Sequence, residues 1–383
     1  MRYSQTHAVV RGCLFVAFSL FTFANVSAQI TAAEIFYEKG RSAQAADNPH
    51  YAIDRYTLAI DENPGLIEAY RARSEAYESV GKSNLALEDL SHIIHINPQD
   101  VRALEFRALI HFNSGNLDRA LFDYENVLKL HKSPEAYLNV GLVKMAMSLP
   151  DAAIAEFRSA LSLRPEFVPA LCSIADAFCE KGDYSKQAFH YYERALQYDP
   201  TNIIVLKNRG KLHLSLNQLE NAAADFSSVL QQSEDAEALI HLACCYRLQN
   251  KFEEALKYTE RALDLNADNA EAYFEGGLAQ AEAGNLQKAL TYMYVARGYE
   301  PRCPDYLLEC GKIELRVDKP WLAVRSFNRY TEYAGENPEV DALRDKCYTA
   351  IEQKNFRDAG QVQQPVSRAS KPVQSFASDI FED

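Results

Sequence analysis

Small and bulky apolar residues alternate along this chain over distances that one helix or one strand cannot produce. An alanine stands at Ala52, Ala86, Ala120, Ala153, Ala188, Ala222, Ala255, Ala289 and Ala323, at intervals of 33 to 35 residues. Four residues after each comes a mostly bulky side chain: Tyr56, Leu90, Tyr124, Phe157, Tyr192, Phe226, Thr259, Met293 and Phe327. Twelve residues before the alanine is a small residue, at Gly40, Ser74, Ala108, Gly141, Gly210, Ala243, Gly277 and Gly311, with Ala175 displaced by a one-residue insertion. Inside each period the apolar spacing is helical, without the alternation of a strand. Each period therefore predicts two helices, the small residue of the first letting the second pack close to it. Pro64, Pro98, Pro165, Pro200 and Pro301 close five periods, because proline lacks an N–H and restricts the residue before it. Lys132 and Glu234 take that place in the third and sixth periods.

This order of small, alanine, aromatic and proline positions resembles the tetratricopeptide repeat, a helix–turn–helix unit of 34 residues. The resemblance covers residues 33–337 as nine units: 33–66, 67–100, 101–133, 134–167, 168–202, 203–235, 236–269, 270–303 and 304–337. It implies an all-α fold, a right-handed α-solenoid of nine helical hairpins. One hairpin cannot bury its apolar stripe alone, whereas stacked neighbours bury a continuous core. Residues 338–358 read as a capping helix whose outward face carries Asp341, Arg344, Asp345 and Lys346.

Both ends break the pattern. Arg2 and Arg11 precede a short apolar run, Cys13 to Ala24, and then Val26-Ser27-Ala28, the layout of a Sec-type signal peptide cleaved after Ala28. The run is too short to span a bilayer as a helix, which takes about 20 residues. The expected location is extracytoplasmic: periplasm, secreted or endoplasmic-reticulum lumen. Contact with a membrane is expected only if this segment stays uncleaved. From residue 359 to 383 Gln, Ser and Pro dominate, which predicts a disordered tail. Phe376, Ile380 and Phe381 stand there among acids.

Composition narrows the partners. The formal net charge is −13, and removing residues 1–28 takes away two arginines and no acid, giving −15. No basic stretch answers a phosphate backbone, so nucleic acid is excluded as the main partner. Seven cysteines remain after cleavage, Cys172, Cys179, Cys244, Cys245, Cys303, Cys310 and Cys347; an odd, irregular set reads as buried thiols, not a disulfide framework. No nucleotide-binding, metalloprotease or hydrolase motif occurs. His92 with His95, and His241 with Cys244 and Cys245, fall within single helical turns without a completing ligand. No enzyme activity, small-molecule substrate, cofactor or metal is expected.

In tetratricopeptide arrays the first helix of each hairpin lines a concave groove, which implies where a partner would bind. At the fifth, ninth and twelfth positions this chain has Leu109 and Phe112 in unit three, and Leu138, Leu142 and Met145 in unit four. Ile240 follows in unit seven, Phe274 and Leu278 in unit eight, and Leu308 and Leu315 in unit nine. Unit six offers Lys207, Asn208 and Lys211 as a basic station, and the first two units present Arg41, Glu68, Arg71 and Glu75. The expectation is a groove for a peptide or partner protein bearing an acidic residue opposite unit six. The function so implied is an interaction scaffold (adaptor, assembly factor or co-chaperone), or alternatively a structural subunit of an envelope or surface complex.

Overall fold

The computed structural model describes residues 31–182 and 185–361. Nineteen α-helices and no strand occur among these residues. The leader read at 1–28 lies outside them, as does the tail beyond 361. The chain divides into two compact units, residues 1–200 and 201–383.

The first unit contains five hairpins. They are α1 (Ala32–Ala45) with α2 (Pro49–Glu62), α3 (Ile67–Ser79) with α4 (Ser83–Ile96), α5 (Val101–Asn113) with α6 (Leu117–Leu130), α7 (Pro134–Ala146) with α8 (Pro150–Leu163), and α9 (Val168–Glu180) with α10 (Ser185–Tyr198). The second unit contains four: α11 (Ile203–Ser215) with α12 (Leu219–Leu230), α13 (Ala236–Leu248) with α14 (Phe252–Leu265), α15 (Ala270–Glu282) with α16 (Leu286–Tyr299), and α17 (Pro304–Arg316) with α18 (Pro320–Ala334). The last helix, α19 (Pro338–Gln361), packs on α18 and runs three residues into the segment expected to be disordered. Within each unit every helix packs on the next, the stacking of an α-solenoid.

The small-against-bulky rule holds in space. A Cβ on Gly40 would stand 2.5 Å from the Tyr56 ring, and one on Gly311 would stand 2.5 Å from the Phe327 ring. Any side chain there would force the two helices apart. All nine ladder alanines are buried, and so are the nine residues four positions on. Each fully buried phenylalanine among them (Phe157, Phe226 and Phe327) stabilises the stack by roughly 1.5–3 kcal/mol.

Each hairpin turns through one left-handed residue: Asp47, Gly81, Gly115, Ser148, Gly182, Asn217, Asn250, Gly284 and Asp318. Glycine takes that conformation freely, and Asn or Asp at modest cost. In six hairpins entry into the first helix is fixed by side-chain caps. Thr31 and Glu34 make a reciprocal capping box, and Asp100, Ser133, Asn202, Asp235 and Asn269 each accept from a backbone N–H of the first turn. Where the closing proline is missing, the caps of the following helix (Ser133 after Lys132, Asp235 after Glu234) still set where the next hairpin starts.

A second rule links the two helices of a hairpin. In some hairpins the residue before the small position meets the residue before the bulky one, sixteen further along. In three hairpins this pair is an arginine and an aspartate. Arg73 grips Asp89 at 2.8 and 2.7 Å, Arg107 grips Asp123 at 2.8 and 2.8 Å, and Arg209 grips Asp225 at 2.9 and 2.6 Å. Arg73 also donates to Thr57, and Arg107 to Ser91, each on the preceding hairpin. One planar guanidinium thus ties three helices. In the eighth hairpin the same two positions hold Gly276 and Tyr292, and a Cβ on the glycine would come within 2.8 Å of the ring.

Candidate protein-binding faces

In the N-terminal unit the first helices α1, α3 and α5 enclose a cavity of about 490 Å³ lined by Arg41, Glu68, Arg71, Glu75 and Arg102, with Tyr37 and Tyr56 as its aromatic wall. The four charged residues expected on this face are therefore brought together. Arg71 is committed to Asp100 at 2.6 Å, the cap of α5. Arg41 pairs with Glu38 at 3.1 Å, an exposed pair that water screens. Farther along the same unit the face turns apolar. Leu109 is 44% exposed and Leu142 is 40% exposed, at the same register position of successive first helices. Leu138 and Met145 are half-buried beside them on α7. Phe112, in contrast, packs into the hairpin core with Tyr124 and Val143.

The C-terminal unit departs from the expected groove. Ile240 is 2% exposed and sits in the core with Leu239, Ala262 and Ala272, so it cannot meet a partner. Ala272 of the next hairpin packs in the same cluster and helps to cover this register position. The Phe274 ring stacks on Tyr306 of the next first helix, centroids 4.6 Å apart, and Leu278 packs on the cluster around Met293 and Ile313. Leu308 and Leu315 pack against the cluster of Phe327, Val340 and Cys347. These four are seams between hairpins more than open surface.

The basic station of unit six is not free either. Lys207 donates to Asp235 at 3.0 Å and to Glu237 at 2.7 Å, and Lys211 pairs with the same Glu237. Asn208 is half-buried on the same turn. Burial works to raise the Glu237 carboxyl, but the hydrogen bonds from Lys207 and Lys211 outweigh it and hold it at about 2. The two lysines are thus consumed within the protein, and the expected demand for an acidic partner falls away.

Sequence reading missed the charged knot of the next hairpins. Buried Arg247 donates to Glu275 at 2.9 Å, to Glu282 at 2.8 Å and to the Cys244 sulfur at 3.6 Å. Burial and the neighbouring Glu275 push the Cys244 thiol up to about 12, so it is an inert thiol at neutral pH. Likewise, buried Glu314 accepts from Ser326 at 2.7 Å and from the Cys310 thiol at 3.6 Å, with Arg297 at 3.7 Å. The sequence held one signal for such ties, the Arg/Asp pair that recurs sixteen residues apart at 73/89, 107/123 and 209/225. Among the described residues no group of three or more His, Cys, Asp or Glu side chains is placed to hold a metal, and no helix is long and apolar enough to cross a membrane.

Family models described as tetratricopeptide repeat match residues 71–137, 138–203 and 236–269. The chain is 27% identical over 154 residues to human tetratricopeptide repeat protein 6, covering 40% of this chain and 29% of that protein. It is 23% identical over 323 residues to the mitochondrial import receptor subunit TOM70 of Rattus norvegicus, covering 82% of this chain and 48% of that protein. The chain thus spans less than half the length of either relative. Among solved structures, a tetratricopeptide repeat protein from Parabacteroides merdae superposes with a TM-score of 0.55 at 19% identity, over 65% of this chain and 99% of that one. The anaphase-promoting-complex hetero-tetramer Cut9–Hcn1 superposes with a TM-score of 0.54 at 16% identity, over 82% of this chain and 76% of that one. Scaffolds of this kind generally bind proteins and do no chemistry. Residues 71–203 and 236–269 thus match the tetratricopeptide repeat, in a chain whose helical hairpins stack within each unit as those of an α-solenoid do.

Proposed function

We propose that this chain is an exported interaction scaffold that holds a peptide segment of its partners along the first-helix face of its N-terminal unit. The observation that carries this reading is the exposed pair Leu109 and Leu142 at one register position of adjacent hairpins. That apolar stretch continues a cavity lined by Arg41, Glu68, Arg71 and Glu75. Apolar side chains left in water beside fixed hydrogen-bonding groups suit a segment with large side chains and a paired polar stretch. Export rests on Arg2, Arg11, the apolar run and Val26-Ser27-Ala28. The role within that class is adaptor, assembly factor or co-chaperone.

Leu109→Ser with Leu142→Ser is expected to lower crosslinked partner capture at least tenfold while melting stays put, since a desolvated interface anchor is worth ~2 kcal/mol or more. Full capture by a folded variant would move binding off this face. Varied clients support an adaptor or co-chaperone, whereas one stoichiometric partner supports a structural subunit, the reading that the likeness to the complex-forming Cut9 favours. Export predicts Gln29 as the mature N-terminus; a soluble protein retaining Met1 rejects it.

A further inference from the structure

A second cleft, of about 520 Å³, lies in the same unit but away from the first-helix face. The second helices α4 and α6 wall it, and α5 forms its floor. Phe122, on the α6 wall, is 62% exposed, the apolar side chain Leu87 lines the α4 wall, and His111 lies on the floor. His111 is 7% exposed, yet its Nδ1 has no hydrogen-bond partner. Four other buried polar atoms lack partners among the described residues, but each belongs to a residue with more surface in water.

The other hairpins show that this lack is particular. Three residues beyond the small position, where His111 stands, other first helices carry side chains that are satisfied. Lys144 pairs with Glu156 at 2.6 Å, the Tyr246 ring stacks on Tyr258, and Glu314 accepts from Ser326. The sixth hairpin also has a histidine, His213, and its Nδ1 meets Gln218, five residues on, at 2.6 Å. Five residues after His111 comes Asn116, one methylene shorter, and no such bond forms. Burial, with Arg107 and Arg119 nearby opposing the pull of Asp123, holds the imidazole below its usual range. At neutral pH its Nδ1 therefore meets a hydroxyl or peptide group more readily than an anion. The rim is acidic. Arg107 and Asp123 cancel in their ion pair, leaving Glu88 and Asp118 against Arg119, none of them in an ion pair among the described residues.

We propose that this cleft is a second docking surface for a partner polypeptide. The partner sets a large apolar or aromatic side chain against Leu87 and Phe122, a hydroxyl or peptide group at His111 Nδ1 once the side chains that close this buried atom from water move aside, and a Lys or Arg toward Glu88 and Asp118. An unpaired buried polar atom costs the free protein stability that a bound partner restores, and the rim charge selects the partner's sign.

The probe is a library of random-sequence peptides displayed on phage and selected on the full chain. Recovered peptides are expected to place an aromatic or large aliphatic residue beside Lys or Arg. Phe122→Ser, a change at an exposed side chain that leaves melting unaltered, lowers their affinity about tenfold or more. Asn116→Gln, which offers His111 the partner that Gln218 gives His213, lowers it several-fold without touching the apolar wall. Leu109→Ser with Leu142→Ser leaves it unchanged, which separates this cleft from the first-helix face. No recovered peptide, an acidic consensus, or binding indifferent to Phe122→Ser or Asn116→Gln overturns the proposal. So does binding that depends on Leu109 and Leu142.

Discussion

The third and sixth hairpins, one in each unit, are built on the same plan and are put to different use. Both carry an Arg–Asp clasp sixteen residues apart, Arg107 with Asp123 and Arg209 with Asp225, and both place a histidine on the next turn of the first helix. In the sixth hairpin every polar group just named has its answer inside the protein. His213 meets Gln218, and the adjacent lysines are held by Glu237. In the third, His111 Nδ1 is left without one, and Leu109 and Phe122 stand in solvent on two faces. The lesson is that a repeated position does not carry a repeated function. A side chain is available to a partner only where its neighbours do not satisfy it first, and that depends on residues such as Asn116 and Gln218 that the repeat pattern does not constrain.

The strongest test of the shared part of the plan is to remove the clasp. Arg107→Ala and Arg209→Ala each strand a buried aspartate. Each is expected to cost ~3–5 kcal/mol by denaturant unfolding, about equally in both hairpins. Replacing both partners by leucine, as in Arg107→Leu with Asp123→Leu, should recover most of that loss, because no charge is then left buried. A clasp that could be broken for under 1 kcal/mol would mean that the pair is merely a surface contact.

The turns give a smaller and asymmetric effect. Gly115 turns the third hairpin at φ 74°, and Asn217 turns the sixth at φ 56°. Gly115→Ala is expected to cost ~1 kcal/mol, since a Cβ disfavours the left-handed conformation. Asn217→Gly should change stability by only a few tenths, because Asn already tolerates it. Equal responses at the two turns would remove this difference between the hairpins.

The smallest effect is in acid. The Glu237 carboxyl is held at about 2 in the folded protein, below its ordinary 4.5. A depressed carboxyl contributes stability that is present above the ordinary value and is lost as pH falls from 4.5 toward 2. Lys207→Gln with Lys211→Gln should raise the carboxyl toward its ordinary value and abolish that acid-dependent part, as read from unfolding midpoints against pH. The effect is modest because the site is partly open to water. An unchanged acid profile would show that the lysines do not hold Glu237 and are free for a partner after all.

By itself the sequence determined the helices, their pairing into hairpins and the stacking order. Those follow from local spacing. The nine alanines and the bulky residues four positions on are dictated by helical periodicity and by the room between two helices, so they are legible at any distance from the rest of the chain. The polar half of the N-terminal face was legible too, because Arg41 and Glu75 occupy the same position of successive first helices and Glu68 and Arg71 lie at helical spacing from Glu75 on the second of them. Tertiary structure decided which of the remaining candidates meets water. Ile240 and Leu142 occupy equivalent first-helix faces in the pattern, yet one is core and the other exposed, because the neighbours of each helix set what lies above it. Lys207 looked like a free cation until Glu237, thirty residues away, was brought within 2.7 Å. The surroundings of His111 were likewise set only when the cleft around it was formed. Burial and ion pairing are properties of pairs of residues far apart in the chain, and a repeat pattern constrains only what each residue does within its own hairpin.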